Sequence, residues 1–212
     1  MVAAAPTYPN PEPAVTRPIP AGAALFVAVV LGSCASASGG SGLAPEQEAF
    51  WAAVHGLCGA AFEGTVAEAP AGDRTFTGRR LVMHVRECGP GTVRIPFHVG
   101  DDRSRTWVLS RTDRGLRLKH DHRHEDGSED EITQYGGDTA EGGTTSRQEF
   151  PADAHTARLI PEAATNVWTV EVEPGEEFVY ALRREGTDRR FRIAFDLRRP
   201  VPPPPAPWGN PG

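Results

Sequence analysis

From Leu81 onward the apolar residues recur at every second position, and this alternation constrains the fold more than any other feature. Leu81, Met83 and Val85 alternate with more polar neighbours, as do Val93, Ile95, Phe97 and Val99. Trp107 with Leu109 and Leu116 with Leu118 continue the pattern. Later come Trp168-Val170-Val172, Phe178-Tyr180-Leu182 and Phe191-Ile193-Phe195-Leu197, each on one face. A repeat of two is that of a strand with one face buried. Turn chemistry separates the runs at Gly89-Pro90-Gly91, Gly100-Asp101-Asp102, Asp113-Arg114-Gly115, Pro174-Gly175 and Glu185-Gly186-Thr187-Asp188. About eight or nine short-linked strands predict an all-β antiparallel meander. Closing it into a lipocalin-like barrel removes exposed edges, which favours the barrel over a β-sandwich. Pro96 cannot donate to a ladder and predicts a bulge or an edge.

One stretch departs from this period. Pro45 to Leu57 places Phe50, Trp51, Val54 and Leu57 on one helical stripe, with Pro45 in the first turn and Gly59 suited to the C′ position. A helix carrying Trp51 ahead of the first strand suits a plug at one end of a barrel. Residues 136 to 165, punctuated by Gly136-Gly137, Gly142-Gly143, Phe150-Pro151 and Ile160-Pro161, form the longest break in the strand pattern. Long loops of this kind are often functional.

The organisation follows. Residues 1–33 are expected to be a signal peptide, with the uncharged run 21–33 as its apolar centre, too short to span a bilayer. Leu31-Gly32-Ser33-Cys34 resembles the lipobox of bacterial lipoproteins, in which the cysteine is lipid-modified. That resemblance implies a membrane partner reached through a lipid on Cys34, with 34–44 as a flexible tether, and a location at the cell envelope. Residues 45–199 form a single β-domain and 200–212 a Pro-rich tail that packs through Trp208 or extends freely. With Cys34 assigned to lipid, Cys58 and Cys88 remain. In an oxidising compartment they are expected to bridge, the alternative being two buried thiols. The net charge of −6 excludes the electrostatic footprint of a nucleic-acid binder.

Chemistry concentrates in Lys119-His120-Asp121-His122-Arg123-His124-Glu125-Asp126-Gly127. On a strand, His120, His122 and His124 share a face with Leu116 and Leu118, while Arg117, Lys119, Asp121 and Arg123 share the other. Imidazoles at i and i+2 can share a transition metal such as zinc, with His124, Glu125, Asp153 or His155 completing the set. The competing reading is a satisfied network of histidines and carboxylates at a strand end. The acidic run Glu125 to Glu131 lacks the spacing of an EF-hand loop. No nucleophile elbow, His-Glu-x-x-His helix, P-loop or dinucleotide glycine pattern is present.

Several phrases occur together: Arg94-Ile95-Pro96-Phe97, Asp102-Arg103-Ser104-Arg105-Thr106-Trp107, the histidine row, Tyr135-Gly136-Gly137, Phe150-Pro151-Ala152-Asp153, Thr165-Asn166-Val167-Trp168, Phe195-Asp196-Leu197 and Ala206-Pro207-Trp208-Gly209. As a set they resemble a family of uncharacterised bacterial secreted proteins, from Phe50 onward. The resemblance implies export and a single domain, and no activity. Three functional classes therefore stand: a small-ligand or metal-binding barrel, a metal-dependent hydrolase using His120, His122 and His124, and a structural or interaction protein of the envelope.

Overall fold

Alternating strands must bury one face, and here the sheet does so by curling on itself. The structure, a computed structural model, describes residues 42–210, which belong to one compact unit. The chain opens with helix α1 (Pro45–His55), followed by β1 (Ala61–Glu68), β2 (Leu81–His84), β3 (Glu87–Cys88), β4 (Thr92–Val99), β5 (Asp102–Thr112) and β6 (Gly115–His122). Then come β7 (Tyr135–Asp138), β8 (Arg147–Pro151), helix α2 (Ala154–Leu159), a 3-10 turn (Pro161–Ala163), β9 (Asn166–Glu173), β10 (Glu177–Arg184) and β11 (Arg190–Val201). All pairings are antiparallel, in the order β7-β6-β5-β4-β2-β1-β11-β10-β9-β8, with β3 also on β4. The result is a nearly closed barrel of eleven strands, more than the eight or nine expected.

The extra strands explain how the barrel closes. Residues 136–165 break the hydrophobic alternation, yet they supply β7, β8 and α2, including both edges of the sheet. These edges meet at Gly136 and Gly137. Asp153 N–H donates to the Gly136 carbonyl at 2.9 Å, and the Thr156 hydroxyl accepts from Gly136 N–H at 2.7 Å. A Cβ on Gly137 would lie 1.7 Å from the Pro151 carbonyl oxygen, so only glycine allows this approach. Pro96 lies in β4 away from either edge. Its neighbours pair with β2 at Phe97 and with β3 at Arg94, leaving it opposite the interruption between those two strands, and a register shift follows at Phe97/Val99.

The two ends of the barrel are filled differently. Helix α1 closes the end where β6 starts and β5 finishes. Its Phe50, Trp51 and Val54 are buried in the core, Gln47 Nε2 donates to Thr139 Oγ1 at 3.0 Å, and Glu48 pairs with Arg111. The Arg111 guanidinium sits 5.5 Å from the centre of the Trp51 ring. The helix ends at His55, earlier than the sequence suggested, because the chain turns through Gly56–Gly59 to enter β1. A disulfide between Cys58 and Cys88 ties this exit to β3.

The tail packs rather than extending freely. Trp208 N–H donates to the Arg103 carbonyl at 3.2 Å, Arg103 Nη1 to the Ala206 carbonyl at 3.3 Å, and Asn210 reaches Glu87. Beneath it, on the outer face, Val82, His98, Thr106 and Asp121 are buried. Asp121 is held there by Arg94 at 2.6 Å and Arg123 at 2.8 Å. The predicted signal peptide and Cys34 lie outside the described residues.

Candidate functional site

At the end opposite α1, inward-facing side chains line an open cup of about 580 Å³. Its walls come from β4, β5, β6, β9, β10 and β11, and its rim from residues 70–76, Ile132 and the turn after α2. The floor is aromatic. Phe97 and Trp107 stack with ring centres 4.6 Å apart, and Trp107 stacks on Tyr180 at 4.2 Å. Cross-strand pairing sets Trp107 beside His120, and His120 beside Tyr135.

His120 is buried, and its hydrogen bonds define its tautomer. Nδ1 lies 3.1 Å from the Tyr135 carbonyl oxygen, which only accepts, so Nδ1 carries the proton. Nε2 is then an acceptor for the Tyr180 hydroxyl at 2.6 Å. Burial holds the imidazole down to about 3, against the raising effect of the Tyr135 carbonyl. Burial also pushes the Tyr180 hydroxyl well above its usual value, and the neighbouring Tyr135 hydroxyl adds to this. Both groups are therefore neutral at pH 7.

His122 sits nearer the rim and is half-buried. Its Nε2 lies 3.1 Å from the Tyr135 hydroxyl. Burial, with the Arg105 guanidinium next in effect, lowers this imidazole to about 4, while Asp130, Asp102 and Asp121 oppose the shift. Burial raises the Tyr135 hydroxyl to about 12. The His120 and Tyr135 rings stack at 4.5 Å, so the two His–Tyr pairs form one continuous patch. The patch carries no formal charge, and both nitrogens of His120 are occupied within it.

The structure brings together two of the three predicted imidazoles. His120 and His122 share the inner face of β6, as the alternation required. His124 lies past the end of β6, exposed in the turn closed by the Arg123–Glu129 bridge. Asp153 instead caps α2 through Thr156 N–H at 2.8 Å and pairs with Lys119, while Glu125 and His155 are exposed. Among the described residues, no three His, Cys, Asp or Glu side chains are placed to hold a metal ion. His124 thus does not share the strand face expected for it: β6 ends at His122, and the Nε2 atoms of His120 and His122 each face a tyrosine hydroxyl.

In the sequence, Trp107, Trp168 and Tyr180 stand only as members of strand faces, and Tyr135 and Arg105 carry no period that marks a site. The signal available was that these aromatic and polar residues fall at alternate positions toward one end of their strands. No family model, curated protein or solved structure matches the chain.

Proposed function

We propose that this chain is an exported, lipid-anchored envelope protein whose barrel binds a small organic ligand in the open cup. The cup itself carries the reading. Its volume of about 580 Å³ falls within the roughly 300–1,000 Å³ common for small-molecule sites. It also combines an aromatic floor with a few convergent polar groups. Ile132, the large apolar side chain left exposed among the described residues, stands at its rim. The Cys58–Cys88 bridge supports an oxidising compartment, in keeping with export.

Trp107 and Trp168 line the cup and report its occupancy. Thermal-shift and tryptophan-emission screening of the purified chain against a broad set of small organic molecules is expected to find binders that change this emission. A Leu182→Trp variant, folded by circular dichroism, fills the cup and is expected to lose them. A screen without binders, or binders indifferent to Leu182→Trp, would leave a structural role for the barrel. For the anchor, radiolabelled palmitate should enter the parent chain and not Cys34→Ala; an unlabelled parent would refute lipidation.

A further inference from the structure

Inward positions along the cup's walls follow a graded order from rim to floor. On β5, Arg105 precedes Trp107. On β10, Arg184 lies at the rim, Leu182 below it and Tyr180 deeper. Arg189 stands just ahead of β11, whose Phe191 packs on Tyr180 with ring centres 5.5 Å apart. On two wall strands and just ahead of a third, then, a guanidinium marks the mouth and a ring lies below it.

The mouth's charge is unbalanced. Arg74, Arg184 and Arg189 form no ion pair among the described residues, and Arg184 Nε donates only to the neutral Asn166 Oδ1 at 2.9 Å. Arg105 is paired with Asp102. Of the two carboxylates lining the cup, Asp73 is taken up by its own turn, accepting from the N–H groups of Phe76 at 3.0 Å and Thr77 at 2.9 Å. Glu162 remains as the other acid. In a chain of net charge −6, three arginines without a carboxylate partner, Arg74, Arg184 and Arg189, gather at this mouth, which favours receiving a negative group there. Guanidinium forks are also suited to planar oxyanions and to stacking on rings.

Resting on the reading of the cup as a ligand site, we infer that its ligand is an amphipathic organic anion. A flat ring-bearing body enters first and stacks among Trp107, Tyr180 and Phe191, and a carboxylate or similar oxyanion stays at the mouth with Arg184 and Arg189. The neutral His120–Tyr180 and His122–Tyr135 pairs meet the body of the ligand without competing for its charge.

A matched pair of fluorescent probes tests the class. 1-Anilinonaphthalene-8-sulfonate and N-phenyl-1-naphthylamine share one aromatic body and differ by a sulfonate. The full chain is expected to bind the sulfonate about tenfold more tightly at low salt, with that preference shrinking at high salt. Energy transfer from Trp107 and Trp168 should place the probe in the cup. An Arg184→Gln/Arg189→Gln variant should lose about tenfold in sulfonate affinity and none for the neutral probe. Equal binding of both probes, unchanged by the arginine substitutions, would overturn the anion class and leave the cup as a ligand site. If neither probe binds, or both persist in folded Leu182→Trp, the cup reading falls and the inference with it.

Discussion

The two ends of the barrel are used in opposite ways. At the closed end, α1 lays Phe50, Trp51 and Val54 into the core, and Phe50 and Val54 are fully buried. Tight turns at residues 113–114 and 174–176 complete that end, and the Cys58–Cys88 bridge fastens it. The open end carries the long connections, 69–80, 123–134 and 152–165, and leaves its aromatic walls facing a cavity. One short helix decides which end is filled and which is left open. Packing at the first end supplies stability, while the second keeps polar and aromatic surface that stability alone would not select.

The largest expected effect tests the plug. Phe50→Ala should cost about 3–5 kcal/mol in denaturant unfolding, as for other large core truncations, while probe affinity of the folded fraction stays unchanged. A loss below about 1 kcal/mol, within the range of surface substitutions and mild repacking, would show that α1 is not the structural end. Next, replacing both Cys58 and Cys88 by serine opens a link between positions 30 apart in sequence. It should cost about 2–4 kcal/mol and again spare the cup; a variant as stable as the parent would remove the bridge from the closed end's account.

Acid should act through the open end. The imidazoles of His120 and His122 are held to about 3 and about 4 by burial. In the unfolded chain they take up protons near their ordinary value of about 6.5, while the folded chain does not. Stability is therefore full above that pH and declines as pH falls toward 4. His98, lowered to about 4 by burial beneath Pro204 and Pro205, adds a further share. Replacing His122 by Gln should flatten this decline by roughly 1–3 kcal/mol over the interval, allowing for its partial exposure. An unaltered pH profile would mean that His122 is not held neutral. The smallest effect belongs to the rim: Arg189→Gln should change stability by less than about 0.5 kcal/mol. A larger loss would show that Arg189 supports the barrel.

Much of this architecture is written in local pattern. Leu116, Leu118 and His120 alternate with Arg117, Lys119 and Asp121, and β6 keeps that division, with the imidazole inside and the carboxylate outside. The stripe of α1 was likewise legible from Phe50, Trp51 and Val54. The region 136–165 was not, because its strands are short and rich in glycine and polar residues. Gly136 and Gly137 are chosen for backbone approach at the closure, which leaves no hydrophobic period to read. His124 was misplaced for a related reason. Alternation predicts a face only while the strand lasts, and β6 ends two residues earlier because Arg123 pairs back across the turn to Glu129.

By itself, then, the sequence determined the class of fold, the inward face of each long strand and the helix that precedes them, since those depend on periodicity and turn chemistry between near neighbours. Only the tertiary structure decided that the barrel closes through Gly136 and Asp153, and that Asp121 lies beneath the tail. It also decided that His120 meets Tyr180 across sixty residues of chain. Such partners are set by the register and curvature of distant strands, and no local repeat encodes which residues those bring together at the open end.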